Sequence, residues 1–257
     1  MTGRATCLQA TVLLILLLTL ASAVFVIFPR LDLAIESLFA SPMTPFLIKD
    51  LKVWQHVRTL MIVLTDGTVA TTLTLMILAM PFSRLRIVRP RILGFMILVY
   101  AVVPGVLVNF LFKQHWGRAR PRDILEFGGA AHFSPPLQIA DQCRGNCSFV
   151  SGETSALFTV ATLMVLIFVP QLPKHLRRGA TALIVAVATF GSGLRVAFGA
   201  HFASDVIFAA LIATGATVVL YMIAGMDRLD SPFVKQGARR PGLARAPNVH
   251  AVQTRFD

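Results

Sequence analysis

The stretch Arg195-Val196-Ala197-Phe198-Gly199-Ala200-His201-Phe202-Ala203-Ser204-Asp205 decides how the rest of the chain is read. It lies where two apolar runs nearly meet, in a sequence that otherwise keeps charge out of its apolar segments. If a helix beginning near Ser204 reaches back to His201, the i, i+4 spacing puts His201 and Asp205 on one face, where they can hydrogen-bond. A carboxylate on one imidazole nitrogen fixes the tautomer and leaves the other nitrogen free to attack. Arg195 adds a planar fork of donors suited to phosphate. The competing reading is a helix end carrying ordinary polar residues at a membrane surface, and two further stretches bear on the choice.

The composition sets the environment. The chain has 257 residues, 56% of them hydrophobic and 14% charged, with a mean hydropathy of +0.73. Soluble domains carry about 25% charged residues, so this is a membrane protein. The formal net charge is +12. Its arginines sit between apolar runs, which points to orientation in a bilayer and contact with anionic lipid rather than to nucleic acid.

Six apolar runs are long enough to span: about 7–28, 60–82, 92–112, 155–169, 182–198 and 206–225. Ala21-Ser22-Ala23 resembles a signal-peptidase site, but the apolar run continues through Phe28, so a retained anchor is expected. Residues 30–58 mix Phe46, Leu47, Leu51, Val53 and Trp54 with Lys49, Asp50, Lys52 and His56, which predicts a helix lying along the interface, with packing against other spans as the alternative. Asp66 falls inside the second run, where it is solvated, caps a neighbour or supports a polar site. The expected fold is all-α: a six-span bundle over 1–225 with an interfacial helix and a loop region forming the active site. A basic cytoplasmic tail without fixed structure follows over 226–257.

Six spans place both termini on one side. That side receives Arg4, four arginines at 84–91, three basic residues at 174–178 and six in the tail, fourteen of the 24 in all. Short-loop asymmetry therefore puts the termini in the cytoplasm. Lys113, Arg120, Ser151, Arg195 and His201 then share the opposite face.

Two stretches join the first one there. Lys113-Gln-His-Trp-Gly-Arg-Ala-Arg120-Pro121, with Arg122 following, is either a set of snorkelling interfacial anchors or a cationic cradle for phosphate. Ser148-Phe-Val-Ser151-Gly152-Glu153-Thr154-Ser155 leads into an apolar run. It is either a helix cap or an anion site of free backbone N–H groups. Between them, Cys143 and Cys147 permit a small disulfide loop if this segment faces an oxidising compartment, whereas zinc would need more ligands than the loop offers.

These three stretches resemble the motifs of the type 2 phosphatidic acid phosphatases. Lys113 to Arg120-Pro121 matches the family's Lys, six residues, Arg-Pro. Val150-Ser151-Gly152-Glu153 stands where the family has Pro-Ser-Gly-His, and Leu194-Arg195, His201 and Asp205 stand where it has Ser-Arg, five residues, His, three residues, Asp. The Ser-Gly-Glu form, with cysteines just before it, looks like a bacterial subgroup that includes lipid A phosphatases.

The resemblance implies a periplasm-facing, inner-membrane lipid phosphatase without a metal or other cofactor, because cations do the metal's electrostatic work. It also implies that Lys113, Arg120 and Arg195 bind phosphate, with Ser151 and the Gly152 N–H adding hydrogen bonds. His201 would form a phosphohistidine and Asp205 would orient it. The expected substrate is lipid A at its 1 or 4′ phosphate, with phosphatidylglycerophosphate or undecaprenyl pyrophosphate as alternatives. A non-catalytic lipid-phosphate binder or transporter is the reading from another class. Two departures bear on it. Leu194 removes a hydroxyl, and Glu153 replaces the His that protonates the leaving alcohol, so Glu153 stands either as a substitute general acid or as a helix cap or ion-pair partner.

Overall fold

The structure, a computed structural model, describes residues 1–40, 46–82 and 87–234. Arg84, Arg86 and the tail from 235 onward lie outside the described residues. Among the described residues seven helices organise the fold: α1 Arg4–Ile27, α2 Leu31–Glu36, α3 Lys52–Ala79, α4 Pro90–His115, α5 Gly152–Gln171, α6 Lys174–Ala197 and α7 Ala203–Ile223. All but α2 are long and apolar enough to cross a membrane. The described residues contain no sheet, only isolated bridges at Val88–Phe233 and Ile124–Ala131.

α5 is the central helix: 61% of its most apolar window is buried, against 6% for α1. Gly152, Ser155, Thr159, Ala161 and Thr162 give it a surface of small buried residues, which lets α4, α6 and α7 approach closely. α1 lies outside and packs on α7, where Phe25 meets Phe208 at a centroid distance of 6.1 Å. α4 widens to π-helical bonding over Ala101–Phe112. Pro104 lies in that stretch, and a proline cannot donate the N–H that an α-helical turn would require.

Residues 30–58 do not form one interfacial helix. α2 is a short helix whose Asp32 and Glu36 are buried. Lys52 onward belongs to α3, because Val53, Trp54, Val57, Leu60 and Met61 continue the apolar pattern of the span without a break. At about 42 Å, α3 is longer than the hydrocarbon thickness of about 30 Å.

The segment 116–151 is fixed by its own bonds. Trp116 Nε1 donates to the Pro136 carbonyl at 2.6 Å, and its ring stacks on Phe149 at 4.5 Å. Cys147 N–H donates to the Lys113 carbonyl at 3.1 Å, and Ser148 N–H to the Arg118 carbonyl at 2.9 Å. Cys143 and Cys147 form a disulfide. At the opposite end of the bundle the chain remains packed past 225: Arg89 N–H donates to the Pro232 carbonyl at 2.9 Å and Arg4 lies 3.6 Å from Asp227.

Candidate active site

α6 ends just past Arg195. Its carbonyl accepts from Ala200 N–H at 3.0 Å and His201 N–H at 3.2 Å, which turns the chain back toward α7. Gly199 makes this turn with φ +58, and a Cβ there would lie 2.5 Å from the Phe46 ring. α7 begins with a carboxylate cap, Asp205 Oδ2 accepting from Phe202 N–H at 3.0 Å.

His201 and Asp205 do come together, although their contact is not a direct hydrogen bond. His201 Nδ1 bonds the Ser148 carbonyl at 2.7 Å, while Asp205 Oδ2 is 4.0 Å away. A carbonyl can only accept, so Nδ1 carries the proton and Nε2 is the free nitrogen. Burial, followed by the charges of Lys113, Arg195 and Arg120, holds the imidazole well below its ordinary 6.5, against the opposing pull of the Ser148 carbonyl. The ring is therefore neutral at pH 7. Asp205 acts one step behind it, accepting from Ser148 Oγ at 2.5 Å and so fixing the residue whose carbonyl holds His201.

Asp205 is held in turn by Arg118, which is fully buried. Its guanidinium donates to Asp205 Oδ1 at 2.5 Å, Asp32 Oδ2 at 2.8 Å, Ser204 Oγ at 2.9 Å and the Ser134 carbonyl at 2.8 Å. It also lies 4.1 Å from the Phe202 ring centroid. Asp32 closes the network by accepting from Ser204 N–H at 2.9 Å and Ser204 Oγ at 2.5 Å. Glu36, one turn along α2 and equally buried, has neither oxygen hydrogen-bonded among the described residues. Burial, then Asp32 and Asp205, push its carboxyl up to about 10.

Four cations occupy the cradle. Lys113 Nζ donates to Asn146 Oδ1 at 3.0 Å and Arg120 to the Asn146 carbonyl at 2.8 Å, so a residue inside the disulfide loop holds both. Burial, followed by Arg122, lowers Arg120 from its ordinary value. Arg195 lies 3.4 Å from Glu153 and has a buried Nε–H without a partner among the described residues. Arg58, near the start of α3, grips the same carboxylate at 2.6 and 3.1 Å. Ser151 caps α5, accepting from Thr154 N–H at 3.4 Å. Gly152 is required by close approach, since a Cβ there would lie 2.8 Å from Asn109 Oδ1 and 3.3 Å from Lys113 Nζ. Leu194 is buried, and Ser192, also buried, has a hydroxyl without a partner among the described residues. No three His, Cys, Asp or Glu side chains cluster as a metal-ligand set among the described residues.

All the residues expected from sequence thus gather at one end of the bundle. Asp32, Glu36, Arg58, Asn146, Ser148 and Ser204 were not anticipated. The carboxylates of α2 carried a readable signal, being acidic residues four apart in the apolar context Leu31-Asp-Leu-Ala-Ile-Glu36. Asn146 carries none.

Buried and half-buried cations gathered beside one neutral histidine make an anion-binding site. The PAP2 superfamily profile matches residues 90–228, and the chain belongs to that superfamily. It is 39% identical to a lipid A 4′-phosphatase of Francisella tularensis subsp. novicida over 121 residues, 47% of this chain and 52% of that protein. It is 40% identical to a lipid A 4′-phosphatase of Rhizobium leguminosarum over 119 residues, 43% and 49% of the respective chains. A Rhizobium etli protein of the same name is 39% identical, covering 43% and 44%. The chain spans about half the length of the curated relatives it matches. No solved structure matches it.

Two outcomes test this geometry. Arg118→Met leaves two buried carboxylates without a counter-charge and should cost about 3–5 kcal/mol of stability, read as a lower unfolding midpoint in detergent. An unchanged midpoint would show that Arg118 does not compensate them. Glu36 gives a pH signature. With a folded-state value raised from 4.5 to about 10, it retains a proton that the unfolded chain has lost at neutral pH. The linked stability is complete below the unfolded value and is lost as pH rises toward the folded one. The unfolding midpoint should fall between about pH 7 and pH 9, and Glu36→Gln should flatten that slope; equal slopes would contradict the assignment.

Proposed function

We propose that the protein is a metal-independent lipid phosphate phosphatase, with the 4′-phosphate of lipid A as its leading substrate and the 1-phosphate next. The observation that carries this reading is Arg195: a buried guanidinium with an unpartnered N–H, beside Lys113 and Arg120, close to a histidine whose Nδ1 is committed to a carbonyl. The names of the curated relatives favour lipid A and the 4′ position.

In the proposed reaction the phosphate enters between Lys113, Arg120 and Arg195, with the Ser151 hydroxyl and Gly152 N–H as further donors. Preorganised cations stabilise the charge on the transferring group more than water does, because they need no reorganisation. His201 Nε2 forms a bond to phosphorus as the bond to the sugar oxygen breaks. Ser148 and, behind it, Asp205 hold the ring as positive charge develops on it. The departing oxygen takes a proton, and water then attacks the phosphohistidine, releasing phosphate and the neutral imidazole.

In this reading the protein lies in the inner membrane with its termini in the cytoplasm and its site facing the periplasm. The distribution of basic residues and the Cys143–Cys147 disulfide support this orientation.

Purified protein mixed with lipid A and EDTA should release inorganic phosphate, and mass spectrometry of the lipid should show loss of the 4′ group. His201→Ala should abolish release while leaving the unfolding midpoint near that of the native protein. Binding without release in the native protein would favour the non-catalytic binder instead.

Glu153 sits between Arg58 and Arg195, so phosphate arriving at Arg195 competes with it directly. Phosphate neutralises much of the cationic field around the displaced carboxylate, so Glu153 takes up a proton from solvent in the substrate complex and then gives it to the leaving oxygen. Glu153→Gln should then impair hydrolysis of a sugar or alkyl phosphate far more than that of an activated aryl phosphate. An equal loss on both would make Glu153 positional and would favour a pyrophosphate substrate.

A further inference from the structure

A cavity of about 400 Å³ opens beside the cationic site between α3, α4 and α5. Lys113, Gly152 and Glu153 border it at the site, and Asp66 and Tyr100 line it deeper in the bundle. About 12 Å of helical rise along α3 separates Arg58, which reaches the cradle, from Asp66. The space exists because Ala101, Gly105 and Ala156 contribute almost no side chain where α4 is widened.

The lining is of two kinds. Met61, Ile62 and Leu157 make apolar walls. Asp66 lies among them with its carboxyl exposed, hydrogen-bonded only by Tyr100 Oη at 3.4 Å among the described residues. No Lys, Arg or His pairs with it among those residues. An acidic residue within a span is costly, and such residues usually face a cavity where a ligand or water meets them.

We propose that this cavity receives one hydrocarbon chain of the lipid substrate, and that Asp66 and Tyr100 bond a hydroxyl or amide N–H carried on that chain. The proposal rests on the lipid phosphatase reading. A plain alkyl chain would fill the apolar walls but leave the Asp66 carboxyl with its single long hydrogen bond. A wholly polar group would satisfy the carboxyl but not the walls. A chain with one donor about 12 Å below the phosphate satisfies both and would let the site distinguish lipids with the same headgroup.

The test uses the full chain in detergent and two synthetic glycolipid phosphates, identical except that one acyl chain is hydroxylated or plain. The hydroxylated lipid should be favoured about tenfold in kcat/KM, a difference of the size expected for one net hydrogen bond. Asp66→Leu should bring the two within twofold. Equal kcat/KM in the native protein, or a preference that survives Asp66→Leu, would overturn the inference. A third lipid phosphate with a diazirine in its chain separates this inference from the reading beneath it. Cross-links should map to 61–66 and 100–105, and cross-links only elsewhere would overturn the cavity assignment. Cross-links in the cavity with neither lipid hydrolysed would uphold the chain site and sink the phosphatase reading.

Discussion

The Arg118 guanidinium, buried between Asp32 and Asp205, is the interaction on which the site depends. Two carboxylates without it would be uncompensated charge in a low-dielectric interior, which costs several kcal/mol per ion. With it they become a scaffold joining three distant parts of the chain: α2, the loop after α4 and the first turn of α7. Each remaining contact of the histidine follows. Asp205 holds Ser148, Ser148 holds Nδ1, and the ring keeps its other nitrogen free.

The same arrangement separates two kinds of positive charge that look alike in sequence. Arg118 and Arg120 are two residues apart in one short stretch. One is committed to buried carboxylates and stacks on Phe202; the other reaches the Asn146 carbonyl beside Lys113. The disulfide loop serves the second set, since Asn146 sits between its cysteines and meets both cations. Cations that would otherwise repel one another are thereby held for an incoming anion, with Glu153 as the internal anion that balances part of their charge.

Much of this was legible because charge is scarce in an apolar chain. Lys113, Arg120, Arg195, His201 and Asp205 stand out at the ends of apolar runs, and the six spans follow from run length alone. The relation of His201 to Asp205 is one step less direct than their spacing suggests. Four-residue spacing predicts a shared face, but α7 begins after His201, so the helix that would align the two side chains does not contain both. The basic residues at 49–58 resemble the face of an interfacial helix, whereas the apolar period through Val57 and Met61 continues into α3. Arg58 and Asn146 carry no such signal, since their partners lie across gaps that only the fold closes.

Base-quenched trapping of the enzyme during turnover, with lipid carrying labelled phosphate, tests the central claim most directly. The label should be recovered on His201, in a peptide spanning the turn between α6 and α7, and should vanish when the turnover is allowed to finish. Normal turnover with no labelled protein at saturating substrate, or label on any other side chain, would contradict histidine attack and the role assigned to the network behind it.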